Sequence, residues 1–163
     1  MSADRFVTAA RQVWAVLGCL ALLCGLILVP PAEGAGVQAR SRATIDMPKD
    51  TKDQPVQGLM LGDRQQESVA EITAIRLQSL PDEGVDPAKV TWVVTMSNTR
   101  PITQVVNLKI SLRDEEGNRL ASGRGRLSVA QGTKDKELKV KMKVTAAAWQ
   151  ASHTVELEAD WIG

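Results

Sequence analysis

Lys89-Val90-Thr91-Trp92-Val93-Val94-Thr95-Met96-Ser97 decides the fold. Val90, Trp92, Val94 and Met96 recur with a period of two, alternating with Lys89, Thr91, Val93, Thr95 and Ser97. An extended chain points successive side chains to opposite faces, so this segment reads as a strand with one apolar face and one wetter face. Trp92 is the expected centre of the core.

The pattern recurs three times downstream. Val106, Leu108, Ile110 and Leu112 alternate with Val105, Asn107, Lys109, Ser111 and Arg113. Leu138, Val140, Met142 and Val144 alternate with Lys139, Lys141 and Lys143. Val155, Leu157, Ala159 and Trp161 alternate with Thr154, Glu156, Glu158 and Asp160. One greasy and one wet face per run is what antiparallel sheets require. Two weaker strands, residues 72–80 and 120–129, complete the set. The second carries Gly123 and Gly125, which mark an edge, bend or bulge.

Turn signals punctuate these runs. They are Ser97-Asn98-Thr99-Arg100-Pro101, then Asp114-Glu115-Glu116-Gly117-Asn118 with glycine at the left-handed position, then Gln131-Gly132. Ala146-Ala147-Ala148-Trp149-Gln150 predicts one helical turn crossing between strands, with Trp149 capping an end of the core. The expected fold class is all-β. Residues 69–163 read as an immunoglobulin-like antiparallel β-sandwich of six or seven strands, with a small open barrel as the alternative.

The residues before that domain have a different character. Arg5 and Arg11 precede an unbroken apolar or small run over residues 13–29, ended by Pro30-Pro31 and followed by small residues. A charged head, an apolar middle and a helix stop are the marks of an export signal. As a helix the run would be about 25 Å long, close to the hydrocarbon thickness of a bilayer. Residues 1–35 are therefore expected to be a signal peptide or a membrane anchor. Ala32-Glu33-Gly34 and Val37-Gln38-Ala39 offer cleavage points, and Val16-Leu17-Gly18-Cys19 offers a lipidation site. Residues 36–68 read as a flexible linker, since proline, charge and small residues leave little surface to bury. The exception is an apolar cluster from Val56 to Leu61 that could dock on the domain or on a partner.

Composition narrows the chemistry. The chain carries 20 Lys+Arg against 19 Asp+Glu, four Trp, one Phe and no Tyr. A near-neutral chain with few rings offers neither the field nor the stacking surface for nucleic acid. Both cysteines, Cys19 and Cys24, lie in the apolar run, and His153 is the single histidine. Disulfides, thiolate metal sites and most acid–base catalysis are thereby excluded from the domain as an expectation. No cofactor is expected. Asp82-Glu83 are adjacent carboxylates of the solvated-loop kind, and Ser152 and His153 are neighbours that a strand would point to opposite faces.

Ile110-Ser111-Leu112-Arg113-Asp114, followed by Gly117, resembles the F-x-L-Y-D signature of FxLYD-type immunoglobulin-like domains of bacterial surface and exported proteins. The earlier run Val93-Val94-Thr95-Met96-Ser97-Asn98 is similar to that family's strand ending in asparagine. Two motif positions differ, with Ile110 for Phe and Arg113 for Tyr. The resemblance implies an adhesive or scaffolding module and carries no catalytic residues.

Two basic groups are the candidate partner-binding residues. Arg119, Arg124 and Arg126, near Lys109 and Arg113, suit bidentate contacts with carboxylates or phosphates. Lys139, Lys141 and Lys143 form a stripe that would make a charge ladder with Glu156, Glu158 and Asp160 if those strands paired. The function this supports is a non-enzymatic interaction or accessory module of the bacterial cell envelope, periplasmic or extracellular. Its expected partner is another envelope or membrane protein. Residues 13–29 would hold it to the inner membrane if uncleaved. The alternative is an envelope-surface protein recognising wall polymer or lipid head groups through the arginines.

Overall fold

A computed structural model describes residues 37–66 and 68–163. The expected signal or anchor lies outside these residues. Among the described residues no helix is long and apolar enough to cross a membrane.

Two antiparallel sheets share one core. The first has strand order β1-β9-β6-β7, with β1 Val37–Asp46, β6 Gln104–Arg113, β7 Arg119–Val129 and β9 Thr154–Ile162. The second has order β2-β4-β5-β8, with β2 Gln54–Pro55, β4 Ser68–Leu77, β5 Ala88–Asn98 and β8 Thr133–Val144. A short β3, Met60–Asp63, also pairs with β4, so β2 and β3 together make an interrupted edge. The all-β expectation holds at this level.

The period-two runs supply the core as their alternation requires. Val90, Trp92, Val94 and Met96 of β5 meet Val106, Leu108, Ile110 and Leu112 of β6 and Val155, Leu157, Ala159 and Trp161 of β9 in one buried cluster. Trp92 is fully buried at its centre. The β6–β7 turn follows its sequence signal. Gly117 takes φ +84°, its N–H donates to the Asp114 carbonyl, and Asp114 Oδ1 accepts the Asn118 N–H at 2.7 Å. At the other end of the sheets Asn98 is buried. Its amide donates to the carbonyls of Ile102 and Val129, both at 2.9 Å, tying the β5–β6 turn to the end of β7.

The expected flexible linker over 36–68 is corrected. Its described part forms β1, β2, β3 and a 3-10 turn over Arg64–Gln66. β1 pairs with β9 along nearly its whole length, from Val37 opposite Ile162 to Asp46 opposite Thr154. Val56 and Leu59 are buried to 5% and 1% exposure, so the apolar cluster docks on its own domain. A ladder of backbone hydrogen bonds and two buried aliphatics offset the ordering entropy that composition alone does not cover.

The helical turn between the last two strands is α1, Ala146–Ala151, capped by the Thr145 side chain, which accepts from the Ala148 N–H. It carries the chain from β8 in one sheet to β9 in the other. The proposed Lys139/Lys141/Lys143 ladder with Glu156, Glu158 and Asp160 is therefore overturned: those strands belong to different sheets. Trp149 is half-buried and packs against the core, as expected for a cap.

Gly123 and Gly125 have a definite cause. A Cβ on Gly123 would stand 2.7 Å from the Lys141 carbonyl oxygen, and one on Gly125 would stand 2.9 Å from Val140. β7 lies against β8 at a corner where the two sheets converge, and no inward side chain fits there. Gly123→Ala should destabilise by about 1–3 kcal/mol, because the clash is with rigid backbone. Trp92→Ala should cost about 3–5 kcal/mol. Chemical denaturation of both variants checks these; a wild-type midpoint for either would contradict the packing at its position.

Candidate functional site

Alternation fixes what each sheet shows to solvent. On β7, glycines at 123 and 125 face inward, so Arg124 and Arg126 face outward. On β8, buried Val140, Met142 and Val144 alternate with exposed Lys139, Lys141 and Lys143. Because β7 abuts β8, both rows border the same corner of the body. Five of the sequence-level candidates, Arg124, Arg126, Lys139, Lys141 and Lys143, thus border one ridge from opposite faces, while Arg119 stands at the start of β7 beyond a register shift.

The charge of the domain is unevenly divided. Residues 119–144 hold eight Lys and Arg against two Asp and Glu, a charge of +6. The rest of the chain from Arg40 on holds ten against fifteen, a charge of −5. Near-neutrality of the whole conceals a basic β7–β8 segment on an acidic body.

The acidic residues of β9 are neutralised inside the fold. Asp160 Oδ1 accepts from Arg40 Nε at 2.6 Å. Glu158 pairs with Arg42 and with Lys109, whose Nζ lies 2.5 Å away. Glu156, only 4% exposed, pairs with Arg42 Nε at 3.1 Å and with Arg113. So Lys109 and Arg113, grouped with the arginines in the sequence, are already engaged. Arg119, Arg124, Arg126, Lys139, Lys141 and Lys143 are exposed and form no salt bridge among the described residues.

Register sharpens this contrast. Arg124 stands directly opposite Lys109, and Lys143 directly opposite Lys89. Like charges facing each other across a ladder are destabilising. A depression of about 630 Å³ lies on the outer face beside β7, between Arg124 and Lys109 on one side and Arg40, Glu158 and Asp160 on the other. Gly125 contributes to its floor.

Ser152 and His153 lie at the end of the helical turn and hydrogen-bond to main-chain groups. His153 is exposed; its N–H donates to the Arg113 carbonyl and its carbonyl accepts from the Met47 N–H. Ser152 Oγ donates to the Ala148 carbonyl at 2.6 Å, away from any nucleophile–base pairing with His153. Met96 and Met142 are buried in the core cluster. Sequence reasoning missed Arg40 and Arg42, because they fell in the expected linker; the alternation of Arg40 and Arg42 with Ser41 and Ala43 was the available signal.

Hydrogen bonding from Lys109 above all, and then from Arg42, holds the Glu158 carboxyl below its ordinary value, against an opposing push from burial. A carboxylate with a lowered folded-state pKa stabilises the fold fully above its unfolded value and loses that contribution as pH falls through the folded one. Stability should therefore decline as pH drops below the ordinary glutamate value of about 4.5. Thermal melts of the wild type and Glu158→Gln across pH 3–6 check this; the variant should show a shallower acid decline, and parallel curves would exclude Glu158 as a contributor.

No family model, no curated protein and no solved structure matches the chain, so its fold and charge arrangement carry the functional reading.

Proposed function

We propose that this chain is a non-enzymatic interaction module of the bacterial cell envelope, which binds an acidic surface of another envelope or membrane protein through the β7–β8 ridge. The observation that carries the reading is the set of six exposed basic side chains that form no salt bridge among the described residues, while the acidic residues of β9 are neutralised internally. A like-charge pair such as Lys109–Arg124 works against the fold, so its presence fits a role outside folding.

An immunoglobulin-like reading of the body rests on strand order. β4-β5-β8 correspond to an A-B-E sheet, and β7-β6-β9 to C′-C-F. β1 then takes the place beside the F-like strand that a G strand would fill, supplied here from the N-terminal side. The resemblance of Ile110–Asp114 to the FxLYD signature agrees with this assignment, since those residues end the C-like strand and enter its tight turn.

Export is read from residues 13–29. Of the two cleavage points, the one after Gly34 leaves β1 whole, whereas cleavage after Ala39 removes residues that pair with β9. Retention of the segment would anchor the module to the inner membrane. No reaction is assigned. A general acid at neutral pH needs a raised pKa, and Glu158 beside the groove is shifted down.

Arg124→Glu separates binding from folding. Replacing a like-charge neighbour of Lys109 with an opposite one should raise stability by about 0.2–1 kcal/mol, while capture of the membrane partner is lost. Denaturation and co-purification from gently solubilised membranes measure the two effects. If the wild type recovers no stoichiometric partner, the envelope-partner reading fails; if Arg124→Glu captures the partner normally, the ridge is the wrong surface.

A further inference from the structure

Resting on that reading of the ridge, we infer that its occupant is an extended acidic polypeptide segment with carboxylates at every second residue, lying along the outer face of β7. The sheet itself contains the template. Two rungs cross it in register: Arg42, Glu158, Lys109 and Arg124, and then Arg40, Asp160, Asn107 and Arg126. Both run from basic β1 to acidic β9, through β6, and end on an arginine of β7.

β9 shows how this sheet satisfies basic side chains placed two residues apart. Glu156, Glu158 and Asp160 recur at every second position of an extended strand and pair with Arg40, Arg42, Lys109 and Arg113. Arg124 and Arg126 repeat the same spacing, about 6.8 Å along a strand, with no carboxylate beside them among the described residues. Arginine's planar fork binds a carboxylate through two parallel hydrogen bonds, which gives the contact direction as well as charge. A second acidic strand laid over β7 would complete the alternation that β9 begins.

Geometry disfavours broader anions. Arg124 and Arg126 project from the outer face of one sheet and Lys139, Lys141 and Lys143 from the outer face of the other, so a flat lipid surface cannot engage both rows. A polymer charged at every unit would also press anions against Glu158 and Asp160 on the opposite wall of the groove. Discrete carboxylates at strand spacing avoid that repulsion.

The test uses the full chain in non-ionic detergent and fluorescence anisotropy at physiological ionic strength. Two labelled peptides each carry four glutamates among threonines, at every second position in one and at every third in the other. Every-third spacing turns successive carboxylates to opposite faces of an extended chain. The every-second peptide should bind about fivefold tighter, the effect of losing a pair or two at an exposed site, and Arg124→Gln with Arg126→Gln should abolish the preference. Equal binding of the two peptides, no binding of either, or tighter binding of polyphosphate than of both overturns the inference. If those results coincide with Arg124-dependent capture of a membrane protein, the interaction-module reading stands and the spacing rule alone falls. A clear peptide preference with no captured protein would do the reverse.

Discussion

The arrangement depends on a backbone contact that only glycine permits. At Gly123 and Gly125 the β7 strand presses against Val140 and Lys141 of β8, with no space for a Cβ between them. That contact lies where two consecutive strands belong to different sheets, and it closes one side of the two-sheet body. It also sets the surface chemistry. Inward glycines force the intervening arginines outward, and the abutting strand brings its lysines to the same corner. A packing constraint and a basic ridge are two results of one pattern, Gly-Arg-Gly-Arg.

Charge in this protein is used in two ways. On β1, β9 and β6 it is cohesive. The Arg40, Arg42, Lys109 and Arg113 side chains enclose three acidic residues of β9, and Glu156 is nearly removed from solvent by its two guanidinium partners. Breaking such a pair leaves an uncompensated, poorly hydrated charge, so the cluster fixes which strands meet and in what register. On β7 and β8 the acidic Glu137 is held by Arg76, but the basic side chains have no salt bridge among the described residues. Exposed basic groups opposite one another contribute nothing to cohesion and slightly oppose it. The same residue types thus serve architecture on one side of the body and an outward role on the other, distinguished by whether an acid stands across the ladder.

Much of this was legible in the chain. The β5, β6, β8 and β9 runs announced themselves through alternation, because large apolar residues at every second position have no other stable placement. The Asp114–Asn118 turn was legible through Gly117, and Trp92 as the core centre through its place as the one large ring on the apolar face of the β5 run. β1 was not. Of its inward residues only Ile45 is large, Ala39, Ser41 and Ala43 being small, and its outward ones are charged or polar, so its hydrophobic signal is faint. What holds it is a ladder to β9 and ion pairs to residues some 120 positions away, including Arg40 to Asp160. The lysine–glutamate ladder failed for a related reason: adjacency in sequence suggested pairing, and the short α1 crossing sent β9 to the other sheet.

By itself the sequence determined the all-strand character, the inward and outward faces of each strong strand, and the two basic rows, because local alternation dictates which way a side chain points. Tertiary structure alone decided who stands opposite whom. Strand pairing is non-local, and it neutralised Lys109 and Arg113 while placing no carboxylate partner, among the described residues, on Arg124, Arg126 and the β8 lysines. A charge becomes a binding group only when the fold withholds its counter-charge, and that depends on residues distant in sequence.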